Sequence, residues 1–416
     1  MTYELFAQEG FSTHIVMENG ASDAFSFDYT GKSVRECGTY EKKMIWISQN
    51  RKIPTSKLIK SLRSVEHETR ISDIQTLKKL KKPKIATFLK EIADECRQAI
   101  SNDVTMNLAH AKYSANIKLV GTKHSYTKKH EHICALIEDK KNLDVVYVLN
   151  ISKSSLNELP RMIMQAMNWI AAQRRLTKQK PDGVFPVVFS KEACGTLFHE
   201  IIGHQFELSA SHSIYSPSKY PVGYQLLSDK LTVYDKPFKL AIPHDVDDEG
   251  TKCGQTKLLE RGCIVSPMTD KRSFTMFPEY GLTGNARRES FLHYPASRFY
   301  RICVDKGTST LSQAVNDMEF GIYIDHISAA RCYYFEDRVT LMASRAYAIR
   351  RGVVTDEPMS CIVDDKISSF FFPKHVCDTV GTSPGFCNSS AGYMYVEHEA
   401  PAMSFESIKV KDVFAT

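Results

Sequence analysis

Phe198-His199-Glu200-Ile201-Ile202-Gly203-His204 is the stretch on which the reading of this chain turns. It follows a short β-run, Val184-Phe185-Pro186-Val187-Val188-Phe189, and Ser190, whose hydroxyl suits a helix N-cap. The spacing predicts a helix from Lys191 to about Glu207. Neutral imidazoles suit zinc, and a carboxylate beside one of them can act as a base toward water. In the common HExxH pattern the two histidines stand four residues apart, about 40° around a regular helix. Here they stand five apart, about 140° around, and a regular helix would not bring both to one ion. A single π-type turn at Ile202, Gly203 and His204 would return the rings to one side. The alternative is a regular helix carrying two unrelated histidines, and spacing alone leaves both open.

Upstream of this helix the chain reads as mixed α/β. Helical spacing covers Leu58 to Val65, Ile85 to Ile100 and about Leu156 to Leu176, with Met162, Ile163, Met167 and Ile170 in the last apolar stripe. Strand patterns cover Asn116 to Val120, Cys134 to Ile137 and Leu143 to Ile151. Gln179-Lys180-Pro181-Asp182-Gly183 breaks the chain with turn residues. Downstream lie short strands: Leu231 to Tyr234, Arg301 to Val304, Gly321 to Ile324, Arg338 to Leu341 and Ile408 to Val410. The expected class is α+β, with an N-terminal mixed α/β domain over residues 1–182. A β-rich domain over residues 183–416 follows, arranged around one metal-binding helix.

Composition narrows the function classes. The chain has 416 residues with 43% hydrophobic and 25% charged content, ordinary for a globular protein with a sizeable core. No apolar run approaches the roughly 20 residues that span a bilayer, so no membrane partner is expected. Met1-Thr2-Tyr3-Glu4-Leu5 does not open a secretory signal, and a cytoplasmic location is expected. The net charge of +6 includes the run Lys78-Lys79-Leu80-Lys81-Lys82-Pro83-Lys84. A solvated surface around a turn accounts for that run, and no nucleic-acid-binding motif accompanies it. The eleven cysteines form no CxxC pair, so reduced, buried thiols are expected for most of them, with Cys387 the exception.

Several further segments, in order, resemble the TldD/PmbA family, once called modulators of DNA gyrase and understood as zinc metalloproteases. Leu197 to His204 with Glu207 is similar to that family's HExxGHxxE helix. Leu227-Ser228 through Thr232, Val233 and Asp235 resembles its Ser…Thr-Val-x-Asp strand, and Asp247-Asp248-Glu249-Gly250-Thr251 its acidic turn. Thr283-Gly284-Asn285-Ala286-Arg287-Arg288 with Pro295 and Arg298 resembles TGNxRR…PxxR. Ser383-Pro384-Gly385-Phe386-Cys387 resembles the segment that supplies a third metal ligand. These matches run from about residue 184 to residue 411.

The resemblance implies zinc held by His199, His204 and Cys387, with Glu200 activating a zinc-bound water to hydrolyse peptide bonds. It implies an extended, unfolded peptide or a small peptide-like substrate, and a homodimer or a heterodimer with a related subunit. Two other readings are a specialised zinc enzyme acting on a small metabolite and a non-catalytic partner subunit. Glu207 could orient a ring N–H or face solvent. Arg287, Arg288 and Arg298 could grip a substrate carboxylate or pair with internal acids. The acidic turn at Asp247 lacks the ligand spacing of an EF-hand and is expected as a tight turn near the cleft. His212, His244, His293, His326, His375 and His398 have no partner at metal spacing and are set aside. The sequence also departs from the family. Cys387-Asn388-Ser389 replaces Cys-Gly-Lys, Gly392 to Pro401 replaces a glycine-rich ending, and bulky residues fill Ala329 to Phe335. The N-terminal half is shorter than the family's usual one, which bears on how a partner would dock.

Overall fold

A computed structural model of the chain describes residues 2–18, 21–28, 31–37, 44–48, 69–70, 84–96, 103–119, 125–139, 146–151, 158–174, 181–209, 220–241 and 243–411. The helix expected at Leu58 to Val65, the basic run before Lys84 and His212 lie outside these residues.

The first sheet is built from strands whose side chains alternate between core and solvent. It contains β1 (Thr2–Glu18), β2 (Ala21–Asp28), β3 (Gly31–Cys37), β4 (Met44–Ser48) and β5 (Thr69–Arg70). After α1 (Lys84–Cys96) come β6 (Val104–Leu119), β7 (Ser125–Asp139) and β8 (Val146–Ile151), then α2 (Leu159–Arg174). The strand order is β5-β4-β3-β1-β6-β7-β8, with β2 paired to β1. Val104, Met106 and Leu108 of β6 alternate with partly exposed neighbours, and Ile133, Ala135 and Ile137 of β7 do the same. These faces pack on Leu89, Ile92 and Ala93 of α1 and on Ile163, Ala166 and Ile170 of α2. The sequence showed only the most apolar ends of β6 and β7, because the polar outward residues hid the rest.

The second sheet starts at β9 (Gly183–Phe189), followed by α3 (Lys191–Phe198), β10 (Val233–Lys236), β11 (Thr256–Glu260) and β12 (Cys263–Ile264). Next come α4 (Lys271–Met276), the small β13 (Ala286–Arg287) and β14 (Ala296–Ser297) ribbon, β15 (Arg301–Val304) and α5 (Leu311–Val315). The chain ends in β16 (Phe320–His326), β17 (Ala329–Tyr333), β18 (Arg338–Arg350), β19 (Val353–Lys366), β20 (His375–Ser389) and β21 (Gly392–Lys411). The order is β12-β11-β10-β15-β21-β19-β18-β16-β9, and β9 also pairs with β21. That extra pairing closes β9, β16, β18, β19 and β21 into a ring. α3 packs against β21, β20, β16 and β15, and Leu197, Phe198, Ile201 and Ile202 join Phe189, Leu341, Val363 and Phe405 in one core. The class is the α+β arrangement expected, although the last four strands are far longer than the short segments read from the sequence.

Buried polar contacts fasten the two sheets together. Glu4 of β1 takes a two-pronged pair from Arg35, at 3.0 and 2.7 Å, and also pairs with Arg288. Arg35 reaches Glu249 at 2.8 Å, and Lys128 of β7 reaches Asp248 at 2.8 Å. The Trp169 indole N–H donates to the Ser344 carbonyl at 2.7 Å.

Candidate metal centre

Ser190 sets the start of the helix. Its Oγ accepts from Ala193 N at 3.1 Å and donates to the Asp325 carbonyl at 2.7 Å, which fixes α3 to the end of β16. The α-helix runs only to Phe198. From His199 to Gly203 the backbone is a π-turn, with His204 N–H bonded to the His199 carbonyl, and a 3₁₀ turn continues from His204 to Phe206. Side chains hold carbonyls within this irregular stretch: the Tyr334 hydroxyl donates to Glu200 O at 2.7 Å, and the Gln205 amide donates to Ile201 O. Gly203 fits because a Cβ there would stand 3.0 Å from Phe299 and 3.1 Å from Ile302.

The widened pitch puts both histidines on one side. His199 Nε2 lies 3.1 Å from His204 Nε2, and Cys387 Sγ of β20 lies 3.2 Å from each. All three residues are buried. A tetrahedral cation with bonds of 2.0–2.3 Å to nitrogen and sulfur separates its donors by about 3.4–3.6 Å. The observed triangle falls a few tenths short of that, and its two imidazoles and one thiol are the donors a zinc site uses. Among the described residues, these are the cysteine, histidine and acidic side chains grouped closely enough to share an ion.

The other ring nitrogens are held as well. His204 Nδ1 lies 2.9 Å from Glu207 Oε2, and Glu207 is in turn paired with the buried Arg298 at 3.1 Å. His199 Nδ1 lies 2.7 Å from His398 Nε2. Burial disfavours charge on His199, His204 and Cys387, but charged neighbours outweigh it at the last two. The thiolate of Cys387 and the carboxylate of Glu207 hold His204 well above the usual histidine range. His204, Arg298 and His199 hold the Cys387 thiol well below the usual cysteine value. At His199 burial outweighs the opposing pull of the Cys387 thiolate, with positive charge on His204 and His398 acting in the same direction as burial, and the pKa is lowered to about 3.

Glu200 sits beside the triangle, 3.7 Å from His199 Nε2, with 17% of its side chain exposed. Burial raises its pKa to about 7, mainly by removing water from the carboxylate. Glu200, His199, His204 and Cys387 line a cavity of about 610 Å³. The remaining wall comes from His326 to Tyr334, Ser383 to Asn388, Glu192, Thr196, Tyr393 and His398. The bulky segments singled out in the sequence therefore do face the cleft. Phe386 and Tyr393, on the paired strands β20 and β21, stack in its wall with ring centroids 5.0 Å apart.

Other candidates have internal roles. Arg287 donates to the carbonyls of Phe299 and Tyr395, Arg288 pairs with Glu4, and Arg298 pairs with Glu207. The acidic turn does not line the cleft as expected. Asp247 instead accepts from the backbone N–H of Glu249, Thr251 and Ala286, while Asp248 and Glu249 bind Lys128 and Arg35 of the first sheet. Two histidines set aside in the sequence do belong to the cavity. His398 touches His199, and His326 pairs with Glu192 at 2.7 Å. Metal spacing could not have found His398, because it arrives by strand pairing, opposite Ser383.

Residues 182–412 match the family model described as the PmbA/TldA metallopeptidase C-terminal domain. The chain is 28% identical over 189 residues to a "Metalloprotease TldD homolog" of Buchnera aphidicola (Schizaphis graminum), covering 44% of this chain and 38% of the relative. It is 24% identical over 238 residues to a "Zinc metalloprotease TldD homolog" of Saccharolobus solfataricus, covering 55% of this chain and 52% of the relative. The matches thus span about half or less of these curated relatives. In fold, the chain is similar to TldE from Thermococcus kodakarensis, with a TM-score of 0.71 at 14% identity, covering 99% of this chain and 96% of the other. The buried His-His-Cys triangle and the match over more than half the chain agree: the protein belongs to the PmbA/TldD metallopeptidase family.

Proposed function

We infer that the chain is a zinc-dependent peptidase that hydrolyses peptide bonds in extended or peptide-like substrates. The observation that carries this reading is the mutual approach of His199, His204 and Cys387, within 3.1–3.2 Å, in the wall of a cavity that also holds Glu200. Zinc held by these three side chains would polarise a carbonyl and make water a better nucleophile. Glu200, 3.7 Å from His199 Nε2, would take the proton of the attacking water and return it to the departing amine. The Cys387 thiolate supplies one negative charge to the donor set, and Glu207 orients the His204 ring. The relative named a zinc metalloprotease supports the choice of metal.

The donors being buried and mutually aligned argues against an inert partner subunit, which would need no ligand set. Association with a second copy or a related subunit is part of this reading by analogy with the family alone.

Purified protein should carry about one zinc per chain. Glu200→Gln should retain that zinc while unfolded-peptide cleavage, followed by mass spectrometry, falls by about 10²–10⁴-fold. Full activity in the variant would remove Glu200 from the mechanism.

A further inference from the structure

His199 presents its two ring nitrogens to different neighbours. Nε2 faces His204 and Cys387, while Nδ1 faces His398 at 2.7 Å. An imidazole whose Nε2 lone pair serves a cation carries its proton on Nδ1. That proton must go to an acceptor, and the atom within reach is His398 Nε2. The tautomers then follow from the hydrogen-bond chain: His199 donates from Nδ1, and His398 keeps its own proton on Nδ1.

We propose that His398 is a positioning residue for the metal centre, a neutral imidazole that accepts the His199 Nδ1–H and holds Nε2 toward His204 and Cys387. The proposal rests on the zinc reading above.

The slot for this ring is shaped by two elements besides its own strand. A Cβ on Gly195 of α3 would lie 2.6 Å from His398 Cβ, and one on Gly385 of β20 would lie 2.7 Å from its Cε1. Side chains at either place would displace the ring. His398 is itself 5% exposed, and its centroid stands 4.8 Å from that of His199 at 61°, an edge-on approach that points a nitrogen at a nitrogen. The residue falls in the Gly392 to Pro401 stretch, where a glycine-rich ending would offer no ring at all. Orientation of metal-facing histidines by a second hydrogen-bonding group is a general requirement. The two histidines meet it differently here. His204 has an anionic partner in Glu207, while His199 has an uncharged one. A neutral acceptor fixes the ring without adding negative charge beside a donor set that already contains a thiolate.

The test compares full-length wild type with His398→Ala, His398→Leu and His398→Gln. Zinc affinity is read by chelator competition, and the visible absorption of the cobalt(II)-loaded protein reports ligand geometry. Leu fills the slot without an acceptor, whereas the Gln carbonyl can accept the same proton. Ala and Leu variants should bind zinc about 10–100-fold more weakly with altered cobalt bands, and Gln should stay close to wild type in both. Should Ala fail to fold, the Leu–Gln difference still decides. Equal affinity across the series, or a Gln variant as weak as Leu, would overturn the proposal while leaving the zinc site standing. A wild type that binds no zinc would remove both readings.

Discussion

Glu207 shows how much a single buried carboxylate can be asked to do. Its Oε2 accepts from the His204 ring at 2.9 Å and from Arg298 at 3.1 Å, and its Oε1 accepts from Phe299 N at 3.3 Å. Both charged side chains are fully buried, so each depends on the other. Glu207→Gln would keep the shape but take from the buried Arg298 its strongest anionic partner, leaving the Cys387 thiolate and Glu200 to offset its charge. The expected result is a loss of about 3–5 kcal/mol in denaturant-induced unfolding measured with chelator present. Zinc affinity should fall in the same variant, because His204 loses its anionic partner. The sequence put Glu207 near His204 through their three-residue separation, but only the fold could decide between solvent and ring. Cys387 was legible for a different reason. It lies 188 residues from His199, and only the order of matched segments singled it out among eleven cysteines. His398 was not legible at all, since its approach depends on the register of β20 against β21.

At the scale of the element, the five-residue spacing of the histidines demands a change of pitch, and the π-turn from His199 to Gly203 supplies it. The sequence placed this distortion slightly late, at residues 202–204, because Gly203 was the visible weak point. Gly203 serves close packing: Phe299 and Ile302 crowd the face where a side chain would project. Gly203→Ala should therefore cost about 1–3 kcal/mol in thermal or chemical unfolding. It should also lower zinc occupancy, because relief of the clash moves the segment that carries both rings. An alanine variant of wild-type stability and metal content would show that the turn does not depend on this contact. The long strands were poorly legible for the opposite reason. β18, for example, has adjacent buried residues at Ala343–Ser344 and Ala348–Ile349, where irregularities in its pairing with β19 break the alternation by which a strand is recognised.

For the whole molecule, the acidic turn, expected near the cleft, and Arg288, open in the sequence between a substrate carboxylate and an internal acid, both join the first sheet to the rest of the chain. Asp248 and Glu249, in the turn between β10 and β11, bind Lys128 and Arg35 of the first sheet, and Glu4 gathers Arg35 and Arg288. Arg35 and Arg288 favour the ionised form of Glu4 against the cost of its burial, and its pKa is lowered as a result. Arg288→Ala would leave Glu4 with one cationic partner fewer and a void over the Phe6 ring, which the guanidinium now covers at 3.9 Å. Loss of about 3–5 kcal/mol is expected in global unfolding. An unchanged midpoint would mean that the pair contributes little to joining the sheets. The order of segments along the chain was enough to bring the helix and Cys387 into one hypothesis. Which polar residues serve the cavity and which serve the seam between sheets depends on long-range packing, and no local pattern encodes it.

The central claim is that two imidazoles and one thiolate from distant parts of the chain meet on one zinc ion. X-ray absorption at the zinc edge of the purified protein measures this directly. The account predicts a shell of two histidine nitrogens at about 2.0–2.1 Å and a single sulfur at about 2.3 Å, with the sulfur lost in Cys387→Ala. A zinc shell made only of nitrogen and oxygen in the wild type would contradict it.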